Sequence, residues 1–169
     1  ALGPVLGPLQ PRPLASQLFG IYTALVSATP FLGGIIADRL LGQRRTVLVG
    51  AMIMCSAHFM LAFEHLFLIA LCALIVGNGL LKPNISTQVG GLYRADDPRL
   101  DRAYSIFYTG INVGAFIAPL VCSTLAEKFG WRYGFIAAGT GMLIGMTIYV
   151  VGWRAMPAGA PPRPKQSEA

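Results

Sequence analysis

Five long apolar segments alternate with short polar ones: about Leu14 to Ala37, Thr46 to Phe63, Leu66 to Tyr93, Ala103 to Ala126 and Tyr133 to Trp153. The first carries no charge until Asp38 and, at about 24 residues, is long enough as a helix to cross a hydrocarbon core of roughly 30 Å. The second is shorter and would stand nearly upright. A bilayer interior offers no water to backbone N–H and C=O groups, so spans of this kind must satisfy them within helices. The pattern therefore predicts an all-α membrane protein with five transmembrane helices. Residues 1–13 are rich in proline, glycine and leucine without helical periodicity; they have no basic n-region and no clear cleavage site, and read as an irregular lead-in. Residues 154–169, with Pro157, Pro161, Pro162 and Pro164, read as a polar tail or interdomain linker.

Composition agrees with the pattern. Hydrophobic residues form 54% of the chain and charged ones 12%, whereas charged residues alone reach about a quarter of an ordinary soluble domain. The net charge of +6 does not indicate a nucleic-acid partner, because the basic residues are spread between apolar segments and no nucleic-acid motif is present. Their placement instead orients the spans. Arg39, Arg44, Arg45, Arg94, Arg99, Arg102, Arg154, Arg163 and Lys165 follow spans one, three and five, while only Lys128 and Arg132 lie on the opposite side. The richer side is expected in the cytoplasm. Span one then enters from outside, which implies an earlier span and makes the chain read as a fragment. Cys55, Cys72 and Cys122 fall inside apolar segments without metal-ligand spacing and read as small buried hydrophobes.

Within span three, Gly77-Asn78-Gly79-Leu80-Leu81-Lys82-Pro83-Asn84 breaks two rules at once. Lys82 is a cation at membrane depth, which costs roughly 2.5 to 3.5 kcal/mol on insertion scales. Pro83 has no N–H, so the Gly79 carbonyl loses its helical donor, and the two glycines weaken the same turn. A charge and an expected hinge share one turn. Such a charge is tolerated when it faces an aqueous cavity or a counter-ion; snorkelling to an interface is disfavoured by the long uncharged runs on both sides. Asn78, Lys82 and Ser86 recur every four residues and share one helix face.

Other motifs frame this segment. Gly33-Gly34-Ile35-Ile36-Ala37-Asp38-Arg39-Leu40-Leu41-Gly42 and the following Gln43-Arg44-Arg45-Thr46 place small residues for close helix approach, Asp38 to cap or pair with a helix end, and arginines for carboxylates or lipid phosphates. Pro30 lies just upstream, where kinking is expected. Span four holds Phe107-Tyr108-Thr109-Gly110-Ile111-Asn112-Val113-Gly114. Gly110, Gly114 and Ala118 form a ridge for tight packing, and Tyr104, Tyr108 and Asn112 lie roughly opposite, needing polar partners in the protein interior. Purely structural interhelical hydrogen bonding remains open for those three. Gly141 and Gly145 repeat the ridge in span five. His58 and His65 stand alone, and no nucleophile–base pair, metal set or paired intramembrane acids are present, which argues against an enzyme.

These segments together resemble the proton-dependent oligopeptide transporter family of the major facilitator superfamily. Gly33 to Thr46 is similar to its first signature (small-small-x-x-A-D-x-x-x-G-x-x-x-T), Phe107 to Gly114 to its F-Y-x-x-I-N-x-G signature, Gly77 to Asn84 to its fourth-helix motif, and Gly130 to Phe135 to the start of its sixth helix. The resemblance covers about Leu14 to Trp153. It implies that the five spans are helices two to six of a twelve-helix transporter, part of an N-terminal six-helix bundle. The implied partners are helix one, a C-terminal six-helix bundle of the same transporter, small peptides and the lipid bilayer of the cell membrane. It also implies proton-coupled symport of di- and tripeptides with no cofactor beyond the protons. Lys82 would meet the peptide carboxylate and Asn112 its amino group, with Tyr108, Asn78 and Tyr22 as further substrate contacts. Gly33, Gly34, Asp38, Arg39, Gly42, Gly79, Pro83, Phe107, Gly110 and Gly114 would serve gating and structure. Ser27 stands where many members have a substrate-facing tyrosine, and the family's E-x-x-E-R motif of helix one is not in this chain. A same-fold transporter of another anion or amino acid, and a non-transporting membrane fragment, are the competing readings.

Overall fold

The computed structural model describes residues 11–153 except residue 95, with side chains from residue 15 onward. The tail expected at 154–169 and most of the expected lead-in lie outside the described residues. Five helices follow in order: α1 (Pro11–Ile36), α2 (Gln43–Met60), α3 (Phe67–Gly91), α4 (Arg99–Phe129) and α5 (Trp131–Gly152). A π-helical turn, Ala37–Leu41, extends α1, and a 3₁₀ turn, Glu64–Leu66, leads into α3. The expected all-α bundle is observed, with boundaries shifted by a few residues. α1 begins at Pro11, three residues before the expected span. Prolines fit a first helical turn because the N–H groups there have no intrahelical acceptor in any case.

Among the described residues, four helical stretches are long and apolar enough to cross a membrane: Ala15–Leu41, Glu64–Gly91, Arg99–Phe129 and Trp131–Gly152. The helix that falls short is α2, which takes Gln43, Arg44 and Arg45 into its first turn and ends at Met60. It is also the helix most enclosed by protein. Thr46, Val47, Gly50, Ala51, Cys55 and Ala57 are all buried on it, so its sequence answers to neighbouring helices more than to lipid. The other helices expose large side chains such as Phe31, Phe116, Trp131 and Val151. That distribution suits a chain whose outer faces meet lipid or further helices rather than water.

The helices pack in a row. α3 packs on both α1 and α2, α2 also packs on α5, and α5 carries α4. Glycines set the two closest crossings. At the α2–α3 crossing, a Cβ on Gly50 would lie 2.8 Å from the Leu81 nitrogen and 2.9 Å from the Gly77 carbonyl oxygen. At the α1–α3 crossing, a Cβ on Gly33 would overlap the Gly79 carbonyl, and one on Gly79 would sit 2.7 Å from the Thr29 Cβ. Removing side chains lets backbones approach and gather dispersion contacts, which are the main attraction between helices in lipid. α4 touches α3 near one end, where the Tyr104 hydroxyl presses on Gly90.

Candidate functional site

Lys82 lies on α3, exposed on an open face, and its ammonium forms no hydrogen bond or ion pair with the described residues. The helix runs through Pro83 without interruption, so the expected break in α3 is not seen as a gap in its helical turns. Nor do Pro30 and Pro119 interrupt α1 and α4. Ser86, one turn beyond Lys82, donates its hydroxyl to the Lys82 carbonyl at 3.2 Å. Asn78, one turn before it, is half-buried and donates Nδ2 to the Val26 carbonyl of α1 at 3.3 Å. The shared face of Asn78, Lys82 and Ser86 therefore mixes one side chain tied to α1 with one free cation.

The other expected contacts sit on different elements. Tyr108 and Asn112 are exposed on α4, a helix without a single buried residue. Tyr108 stacks on Tyr104 (centroids 6.3 Å apart) and meets the edge of Phe107 at 5.6 Å. No described atom lies within 4 Å of a Cβ built at Gly110 or Gly114, so the expected packing ridge has no partner among the described residues. Tyr22 is half-buried against the apolar cluster of Ala57, Leu61, Ala70 and Leu74, where its ring contributes packing. A cavity of about 270 Å³ opens between the ends of α2, α4 and α5 beside His58, Cys122 and Ser123; it includes none of Lys82, Tyr108 and Asn112.

The loop signature resolves into distinct tasks. Gly42 adopts φ 74° and ψ 153°, a region that side-chain-bearing residues avoid, and its N–H donates to the Ala37 carbonyl at 2.9 Å. Thr46, fully buried, donates its hydroxyl to the Gly42 carbonyl at 2.9 Å. That pair turns the chain from α1 into α2. Asp38 and Arg39 are exposed and without hydrogen bonds or ion pairs among the described residues, and α2 has no side-chain cap. Gly34 likewise has nothing within 4 Å of a Cβ position.

Two features went unread in the sequence. One is Asn84, buried and donating Nδ2 to the Gly33 carbonyl at 3.2 Å and to the Leu80 carbonyl at 2.7 Å. Its place in an apolar span was a signal, since a carboxamide there demands partners. The other ties three helix ends on the arginine-rich side. The Arg44 guanidinium lies 4.4 Å over the Trp153 ring and donates to the Trp153 carbonyl. Tyr149 donates to the Gln88 side-chain oxygen at 2.9 Å and approaches the Arg44 carbonyl at 3.4 Å. Arg44 Nε and Gln88 Nε2 are buried there without acceptors among the described residues.

Long apolar helices crossing at glycines, with a lone ammonium and the Asn112 carboxamide on faces that no described residue covers, are those of part of a multi-pass membrane protein. The family model described as PTR2, POT family, matches residues 44–166. The chain is 42% identical over 140 residues to the uncharacterized transporter YclF of Bacillus subtilis, covering 81% of this chain and 28% of that one. It is 41% identical over 146 residues to a di-/tripeptide transporter of Lactococcus lactis subsp. lactis, covering 84% and 29%. Among solved structures, a peptide transporter POT in complex with alafosfalin superposes with a TM-score of 0.83 at 35% identity, covering 89% of this chain and 33% of that one. The chain belongs to the POT family and is part of an integral, multi-pass membrane protein. It spans about a third or less of the length of the proteins it matches.

Proposed function

We propose that this chain forms helices two to six in the N-terminal half of a proton-coupled symporter of di- and tripeptides. The observation that carries the reading is Lys82: a cation on an apolar membrane helix, facing outward from α3, with no carboxylate beside it among the described residues. An ammonium held there is stabilised by an anionic visitor or by an acid from elsewhere in the protein. A peptide carboxylate suits it. Asn112 and Tyr108, exposed on α4, supply a carboxamide and a phenol for the peptide's amino end and backbone. The 41% identity to a di-/tripeptide transporter supports the same substrate class.

The helical spans described here bear no acid in their middle thirds, so the proton-carrying groups belong to other helices of the same protein. Proton binding there shifts the balance between outward- and inward-open states. The test is proton-driven uptake of a labelled dipeptide by the full-length protein in proteoliposomes, with and without Lys82→Ala. Uptake lost in the variant supports the assignment, and unchanged uptake refutes it. Competition by unlabelled dipeptides, against nitrate or single amino acids, separates peptide symport from a same-fold carrier of another solute.

A further inference from the structure

α3 concentrates Gly77, Gly79 and Pro83 within a few residues, yet remains one helix from Phe67 to Gly91. The compensation comes from α1. Pro83 leaves the Gly79 carbonyl without its helical N–H, and that carbonyl lies against Gly33 so closely that no Cβ fits between them. Three polar side chains then cross the same seam. The Thr29 hydroxyl donates to the Ile75 carbonyl at 3.2 Å, Asn78 to the Val26 carbonyl at 3.3 Å, and buried Asn84 to the Gly33 carbonyl at 3.2 Å. Asn84 also donates to the Leu80 carbonyl in its own helix at 2.7 Å. The attachment points on α3 therefore run from Ile75 to Asn84, on both sides of Pro83. A proline bend could work only by stretching these bonds beyond hydrogen-bonding reach.

We propose that Asn84, with Thr29 and Asn78, splints the proline turn of α3 to α1, so that the two helices move as one rigid unit. Asn84 is then a positioning residue: it fixes the α3 turn that carries Lys82 and never touches substrate. The flexible element that alternating access requires lies elsewhere than at Gly79 and Pro83. The transport part of this inference rests on the peptide reading above; the rigidity part does not.

The test places spin labels at Val76 and Thr87, both exposed and about 16 Å apart along the helix axis. It uses full-length protein in lipid nanodiscs, with its native cysteines, Cys55, Cys72 and Cys122 among them, replaced. The expected result is one narrow distance distribution, the same with or without a dipeptide and at pH 5 or 7.5. Pro83→Ala should leave it narrow, whereas Asn84→Ala should at least double its width. Thr29→Val, nearly isosteric and lacking one strap, should broaden it less and serves if Asn84→Ala does not fold. Two populations in the parent protein, or an unbroadened distribution in the Asn84→Ala and Thr29→Val variants, would overturn the splint. In uptake assays at equal protein amounts, Asn84→Ala should raise the dipeptide KM about fivefold, and adding Pro83→Ala to it should restore KM, because the unsplinted turn is then an ordinary helical one. A parent protein that takes up no dipeptide would refute the peptide reading while the distance measurement still decides the splint.

Discussion

Replacing Gly33 by alanine tests the α1–α3 seam with a built-in control next door. A Cβ at Gly33 would overlap the Gly79 carbonyl oxygen, lie 2.5 Å from the carbonyl carbon and 3.0 Å from the Leu80 nitrogen. Carbon contacts are comfortable at about 3.5 to 4.0 Å, so the helices must part by roughly an ångström. The obstacle is backbone, which cannot rotate aside. Overpacking of this kind costs roughly 1–3 kcal/mol. Separation also stretches the bonds from Asn84 to Gly33 and from Thr29 to Ile75, each 3.2 Å long, and interhelical bonds in membranes average about 0.6 kcal/mol apiece. The expected loss is therefore about 2–4 kcal/mol. Gly34→Ala gains the same helix propensity but meets nothing within 4 Å, so the difference between the two variants isolates the contact. Reversible unfolding in bicelles, followed by steric trapping, measures both. Equal stability of the two variants would refute the packing argument.

Further perturbations address the arginine-rich end. Arg44→Lys keeps the charge but loses the flat guanidinium over Trp153. It should destabilise by about 0.5–2 kcal/mol in the same unfolding assay and raise protease sensitivity after Trp153. In the loop before α4, the Arg99 side chain and backbone N–H, at 2.8 and 2.9 Å, hold the Asp97 carboxyl below its ordinary value. A lowered carboxyl contributes stability above its unfolded value of about 3.9 and loses it as pH falls through the folded one. Asp97→Asn should therefore lower stability slightly at pH 7, where the pairing contributes, and converge with the parent as pH falls from 5 to 2, which flattens the acid side of the profile; an unaltered acid limb contradicts the pairing.

The number and order of helices were legible because each span is long, apolar and bounded by charge, signals that need no partner to be read. Gly33 marks the close helix approach expected of it; Gly79, expected at a hinge, lies in the same close approach, and Gly42 marks a turn that only glycine accepts readily. What stayed hidden depends on which faces meet. Asn78 was read as part of a substrate face but gives its amide to α1, while Asn84 spans two helices from a position that periodicity alone does not single out. Proline and glycine chemistry predicts weakness in an isolated helix, and the strap from α1 offsets it. The boundaries of α2 shifted because Gln43, Arg44 and Arg45 extend the helix beyond its apolar stretch. Gly110 and Gly114 wait on faces that no described residue covers.

The central claim is that Lys82 meets a carboxylate. Binding of a dipeptide and of its C-terminal amide, measured by isothermal titration on full-length protein with Lys82 and with Lys82→Gln, isolates that pairing. The account predicts that the parent prefers the free carboxylate at least tenfold, about 1.4 kcal/mol, and that Lys82→Gln binds both peptides alike. A preference for the carboxylate that survives in Lys82→Gln would contradict it.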